Sequence, residues 1–503
     1  MPQSGVHHDL MVGRTNNENS HPQYVSKRYY NSVLSTFWPA ASVGAVPDTG
    51  TNMTPFIQLA IDNAPGGTTI YFQPGTYILS TPVVVTRSDQ TLWLDPGALF
   101  AAADTAIEVT GTEVTGSATD INIDPIAGAI NITVASSTNF PVDTWVIIRD
   151  DADADVSPGQ SEWIHMEVNR IKEVTSPTIV SFYYPLRQPY STILGVKPSM
   201  YPITPVENFC LTGGGRVSSH VGTASGGHGV HGYCTVGLDV NGVEFFNVFD
   251  SCVHVARSLA PRVHDDVVMR DAVRFDSRGY GFTCHSVWDA VVTNCTMRRL
   301  RHGIDFSMFS GKCIAANNTI SGSANASIDT HPSVKQIQII ANNIDGAYGE
   351  NPGGTDWGTN VQASGINIDV SNTDVIVADN VIRNTRLSGI FVDTGGTENI
   401  VIRGNTVVNC NITESVDHGG ITVLEQSARG TLWEGHVVEN NQVVDCWNYG
   451  IRAGMTNMEV KNNRVVGTVS STAALGIGYD IRNNTGAHGV AGVMVQGNMA
   501  WKN

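Results

Sequence analysis

Charge is scarce in this sequence. Asp, Glu, Lys and Arg make up 15% of its 503 residues, and 29 Lys and Arg face 46 Asp and Glu, a formal charge of -17 at pH 7. A chain of that sign repels polyanions, and no local basic run offsets it, which argues against nucleic acid or an anionic lipid surface as partner. A carbohydrate partner is compatible. No apolar run approaches the roughly 20 residues of a membrane span, and the opening MPQSGVHHDLMVGRTNNENSHP has no apolar signal-type core. Neither membrane insertion nor a secretion signal is expected. The eight cysteines (210, 234, 252, 284, 295, 313, 410 and 446) form no CxxC pair and sit in apolar contexts such as GFTCHS, so they read as buried free thiols made in a reducing cytosol. Helical HExxH spacing is missing, and the glycine-rich GGHGVHG (226–232) lacks the GK[ST] of a phosphate loop. No metal and no cofactor is expected.

Glycine is plentiful, at 51 residues, and with abundant Asn, Thr and Val it points to β-structure with frequent turns. Four segments follow along the chain. Residues 1–30 are polar, with His7-His8-Asp9-Leu10 and His21-Pro22, and read as a docking segment. Over 31–107, a short helix with Thr54 as its cap, Pro55 in its first turn and Ile57, Ala60, Ile61 and Ala64 on one face precedes β-runs such as TTIYF, GTYIL and QTLWL. From 108 to 205 the rhythm changes to INITVAS, TWVIIRD, IHMEVNRI and TIVSFYY, a small inserted β-domain.

From 206 to 503 an internal repeat dominates. Asn recurs at 294, 318, 343, 380, 405, 441, 463 and 498, in steps of 22 to 37 residues. Short steps fit one coil of a parallel β-helix, and long steps fit a coil with a loop, as at 345–360, 411–418 and 427–436. An Asn at a turn can bond its own coil and stack on the next Asn, so the repeated residue is expected to be structural.

Aligning the coils gives V230-H231-G232-Y233, V253-H254-V255-A256, F282-T283-C284-H285, I304-D305-F306-S307 and I328-D329-T330-H331, continuing as I366-N367-I368-D369, I390-F391-V392-D393 and I421-T422-V423-L424. Strict alternation turns the apolar set inward. Outward runs one column of His231, His254, Thr283, Asp305, Asp329 and Asn367, beside a second of Ala256, His285, Ser307, His331, Asp369 and Asp393. Rungs about 4.8 Å apart put the Asp305 and Asp329 carboxylates at roughly 5 Å, where both cannot ionise freely. One acid and one base is the division that glycoside cleavage requires.

Asp305 and Asp329 are therefore the catalytic candidates, with His254, His285, His331 and Arg301 in support and Asp369 and Asp393 as alternative carboxylates. The Asp305–Asp329 spacing favours retention, and Asp329 with Asp393 would favour inversion. Tyr348, Trp357 and Trp433, in polar loops, are candidates for stacking on sugar faces. Three other readings stay open: a lyase using carboxylates, a cation and an Arg or Lys base; a metal held by the His and Asp column; and a solvated ladder or trimer contact.

The segment SVGAVPDTGTNMTPFIQLAIDNAPGGTTIYFQPGTYIL (42–79) resembles the opening of pectate-lyase-like right-handed parallel β-helix proteins. The insertion GTEVTGSATDINIDPIAGAINITVASSTNFPVDTWVIIRD is similar to the small β-domain of bacteriophage tailspikes, and HHDLMVGRTNNENSHPQY to a virion-anchoring segment. The resemblance implies an all-β right-handed parallel β-helix with a capping helix. It implies a homotrimeric tailspike in the virion, made in the host cytoplasm and joined to tail or baseplate proteins through its N-terminus. Its implied activity is depolymerisation of a bacterial surface polysaccharide, capsule or O-antigen, and the paired carboxylates put hydrolysis ahead of elimination. A non-catalytic receptor-binding spike is the further alternative. No catalytic motif carries over from the family, so Asp305 and Asp329 rest on the ladder argument alone.

Overall fold

The structure, a computed structural model, describes residues 37–150, 165–190, 197–220, 227–273, 278–347, 363–393, 395–413, 415, 417–424, 435–454, 458–468, 477–481 and 494–501. Within these, three parallel sheets of 14, 13 and 12 strands run the length of the chain, and successive strands visit the sheets in rotation. Each circuit is one coil of a right-handed parallel β-helix, the hand that twisted parallel strands favour. Apolar residues at alternate positions, such as Ile304 and Phe306, then Ile328, then Ile366 and Ile368, stack inward into one continuous core.

Helix α1 (Thr54–Asn63) closes the N-terminal end of that core with Ile57, Ala60 and Ile61 buried. Its capping differs from expectation. Thr54 is the first helical residue rather than the cap, and the Asn52 side chain accepts from the Thr54 N–H at 3.0 Å. Asn52 lies far enough upstream to reach that donor, while the Thr54 hydroxyl turns to the Thr81 carbonyl at 3.2 Å.

After strand Ile107–Thr110 the chain leaves the β-helix and builds a seven-stranded antiparallel sheet from strands lying between Thr112 and Thr204. It then returns so that Cys210–Thr212 pairs with Thr91–Leu94 and Val230–Tyr233 with Ile107–Thr110, as though nothing intervened. The insertion has its own core around Phe140, Ile148 and Phe182. It docks on the helix flank through Trp145, Tyr201 and Ile203 against Leu259 and Trp288, with an Arg187–Asp289 ion pair at 3.2 Å. His165 of the insertion stacks between Tyr190, at 4.8 Å, and Phe309, two residues beyond the Asp305 strand, at 5.2 Å. All eight cysteines are buried and free.

The asparagine ladder is present with two corrections. Its members are Asn318, Asn342, Asn380, Asn405, Asn441, Asn463 and Asn498, each amide donating to the next Oδ1 at 2.9–3.1 Å. Asn342 takes the place expected of Asn343, which begins a strand on the exposed side. Asn294 stands one residue short of the column, left-handed at φ 55°, and the Cys295 N–H bonds Asn318 Oδ1 instead. In an Asn-Cys or Asn-Asn pair, spacing alone does not tell the inward residue from its neighbour, which is the left-handed Asn294 in one case and the strand-opening Asn343 in the other.

Asn405 accepts from both the backbone and the side-chain nitrogen of Asn380 at 3.0 Å. Asn405→Ala leaves those buried donors unmatched and is expected to cost about 3 kcal/mol, read as a lower denaturant midpoint at unchanged slope.

Candidate active site

The third sheet carries the outward column in the expected register: His231 opposite His254, His254 opposite Thr283, Thr283 opposite Asp305, Asp305 opposite Asp329 and Asp329 opposite Asn367. The two aspartates are thus one rung apart. Facing outward from the core does not leave them in open water. Asp305 is 2% exposed and Asp329 3%.

Alternation decides which face a side chain takes but says nothing about what folds over that face. Here the cover comes partly from the position just before the glycine that opens third-sheet strands, in Tyr280-Gly281 and His302-Gly303. A Cβ on Gly303 would lie 2.8 Å from Ile320 and 3.0 Å from the Ser327 carbonyl, so the turn is tight and the residue before it projects across the column. Tyr280 and His302 stack there at 5.3 Å. The Arg301 guanidinium lies 5.4 Å over the Tyr280 ring and donates to its hydroxyl at 2.8 Å.

Within this enclosure Thr283 donates to Asp305 Oδ2 at 3.1 Å and the Asn367 amide to Asp329 Oδ1 at 2.7 Å. Asp305 Oδ1 has no hydrogen-bond partner among the described residues. His331 Nε2 stands between the carboxylates, 3.8 Å from Asp305 and 3.7 Å from Asp329, and its side chain is 30% exposed, so this flank is open to a ligand. His302 Nδ1 lies 2.8 Å from the Ala326 carbonyl and 3.6 Å from Asp329.

These surroundings separate the two carboxyls. Burial pushes Asp305 up to about 6, helped by the Asp329 charge and opposed by His331, Thr283 and Arg301. Burial also works against ionisation of Asp329, yet His302, His331, the Asn367 amide and Arg301 together hold it below the usual carboxylate range. Burial lowers His302 to about 3, leaving that ring uncharged near neutrality. Stabilising the Asp329 anion there falls to His331, Asn367 and Arg301. His331 is raised: burial opposes its protonation, but Asp305, Asp329 and Asp369 outweigh it.

Of the other candidates, Asp369 is raised to about 6 by burial and by the Asp329 charge, and its carboxylate accepts from the Val370 N–H at 2.8 Å. Asp393 sits on the rung of Phe391, two rungs beyond Asp329, and accepts from the Gly395 N–H at 3.2 Å. His254 and His285 do not touch the aspartates. They group with His228 and His231, the rings of His254 and His285 lying 5.0 Å apart. Tyr348, Trp357 and Trp433 lie outside the described residues, as do residues 1–30.

Ligand atoms of Asp305, Asp329 and His331 lie within 4.8 Å of one another, and they are the described group whose spacing suits a metal ion. Sequence reasoning passed over Tyr280 and His228. The available signal was an aromatic residue immediately before a coil glycine, which occurs at His228-Gly229, Tyr280-Gly281 and His302-Gly303.

A family model described as right handed beta helix region matches residues 228–465. No curated protein sequence matches the chain. Among solved structures, the Pseudomonas phage phi297 tailspike gp61 is similar with a TM-score of 0.65 at 12% identity, over 93% of this chain and 81% of that one. The tailspike gp49 of Pseudomonas phage LKA1 gives 0.61 at 14% identity, over 91% and 81%. The Gp54 tailspike of Acinetobacter baumannii bacteriophage AP22, solved in complex with A. baumannii capsular saccharide, gives 0.58 at 10% identity, over 95% and 71%. The chain is a right-handed parallel β-helix protein. Its fold is the one that phage tailspikes share.

The raised Asp305 has a consequence for stability. A carboxyl lifted in the folded state favours folding relative to its ionised form below its ordinary value of 3.8, and that contribution is lost as pH rises through about 6. Asp305→Asn removes the buried charge, so it is expected to raise stability by about 3 kcal/mol above that range and by nothing below it. Denaturant midpoints across pH for the two proteins check this.

Proposed function

We propose that this chain is a tailspike that binds and depolymerises a bacterial surface polysaccharide, capsule or O-antigen, by glycosidic hydrolysis at Asp305 and Asp329. It works as a homotrimer in the virion, assembled in the host cytoplasm and held to tail or baseplate proteins by its N-terminal segment. The observation that carries the reading is the pair of buried carboxylates one rung apart with opposed shifts, Asp305 raised and Asp329 lowered. The tailspike fold of the similar structures, one of them bound to a capsular saccharide, supports the polysaccharide as substrate.

In this mechanism Asp305 keeps its proton and donates it to the glycosidic oxygen as the bond breaks. Asp329, ionised and oriented by the Asn367 amide, attacks the sugar carbon, and the short separation suits this retaining arrangement. His331, between them, balances the charge that moves from one carboxyl to the other, and Arg301 adds positive potential. Asp305 then withdraws a proton from the water that releases the product.

Activity is expected to fall as pH rises through about 6, where Asp305 loses its proton, with the acid limb below the ordinary value of 3.8, where Asp329 gains one. Asp305→Asn and Asp329→Asn should each lower kcat by about 100-fold or more while glycan binding persists, read as new reducing ends from a capsule panel. Binding and clearing both unchanged in the two variants would reject catalysis and leave an adhesive spike.

A second reading, elimination by a lyase, is favoured by the convergence of Asp305, Asp329 and His331 within 4.8 Å, a spacing a divalent cation can bridge. Elimination leaves an unsaturated sugar that absorbs in the ultraviolet. Reducing ends without that absorbance, insensitive to chelator, would remove this reading.

A further inference from the structure

Three rungs of the third sheet place four imidazoles side by side. His231 and His254, opposite each other on adjacent rungs, stack at 5.0 Å and 6°. His228, in the position before the coil glycine, leans over both at 5.2 and 4.7 Å. His285, from the next strand, meets His254 edge-on at 5.0 Å. Both ring nitrogens of His254 and Nδ1 of His228 are inaccessible and have no hydrogen-bond partner among the described residues. All four residues are nonetheless part-exposed.

That is an expensive arrangement for a protein with no use for it. A buried unmatched nitrogen costs about 1–3 kcal/mol, and four neighbouring rings suppress one another's protonation. Burial first, and then the neighbouring imidazoles, lower His228 to about 3 and His285 to about 4, with His254 well below its ordinary value. A metal does not answer the geometry, because the parallel rings of His231 and His254 present faces to each other and, among the described residues, the four rings form no group whose ligand atoms converge on one ion. An anionic group does: it needs only N–H donors on the edges of these part-exposed residues rather than converging lone pairs, and each proton the rings take up is offset by its charge.

Position adds the chemistry of the ligand. His254 and Asp305 share one column with only Thr283 between them, two rungs or about 10 Å apart. A chain of sugars crossing the rungs would reach the imidazoles one or two residues from the bond held at Asp305. The other charges facing the cluster are Glu108, opposite His231 on the preceding rung, Asp250 paired with Arg278 at 3.3 Å, and His331 beyond His285.

We propose that His228, His231, His254 and His285 form a subsite for the carboxylate of an acidic glycosyl residue, so that the polysaccharide is a uronate-type polymer gripped beside the point of cleavage. His254 and His285 then act on the substrate rather than on the aspartates. The proposal takes its polymer from the depolymerase reading, but its test does not depend on turnover.

The test is NMR of the full chain labelled at histidine Cε1, titrated with D-glucuronate slightly below neutral pH, with D-glucose and sodium chloride as counter-probes. The four imidazole signals should shift with glucuronate alone, their titration midpoints should rise, and His254→Gln should weaken binding about tenfold. No shift with glucuronate, or an equal shift with glucose or chloride, overturns the subsite. If capsule is cleaved while these signals stay still, the subsite falls and the depolymerase stands. If they respond in a protein that releases nothing from any capsule, the subsite stands and the hydrolase falls.

Discussion

Hydrogen bonding between successive coils in strict register is what every functional side chain here depends on. A slip of one residue in the ladder would turn the whole outward column into the core. Register is fixed by inward stacking of Ile, Val and Phe and by the asparagine amides that pass from Asn318 to Asn498 at the turn between the first and second sheets. Because each coil is locked to its neighbours, residues far apart in sequence meet at rung spacing. Asp329 and Asn367 are 38 residues apart in the chain and 2.7 Å apart at their side chains.

The same regularity explains what could be read from the sequence. The eight aligned tetrads, V230-H231-G232-Y233 through I421-T422-V423-L424, pair in the structure over at least their first three positions as the alternation dictates. Asp305 opposite Asp329 is a direct product of that period. Burial of the pair was not legible, because it comes partly from Tyr280, the first residue of its strand, and His302, just before the next, each followed by a glycine where the period-two rule has little purchase. The Asn342 for Asn343 displacement has a similar origin, since the inward turn residue and the first residue of the following strand carry the same side chain.

Enclosure gives the outward face its chemistry. On an open rung water would screen two adjacent aspartates and leave their carboxyls only weakly separated. Covered by aromatic rings, with Thr283 donating to one and Asn367 to the other beside His331, they are driven in opposite directions. The cost is borne by a large core and a long amide ladder, so a solenoid can hold a destabilised pair without losing its fold. The imidazole group on the adjoining rungs of the same face repeats the pattern: side chains that stabilise nothing by themselves, held in place by neighbours that do.

The central claim is that one carboxyl of the pair keeps its proton where the other has lost it. Infrared difference spectroscopy between the wild type and Asp305→Asn, at a pH just below about 6, reads this directly. A protonated carboxyl band present in the wild type and missing from the variant, with the Asp329 carboxylate band kept in both, is the predicted result. Two ionised carboxylates in the wild type at that pH, with no protonated band to lose, would contradict it.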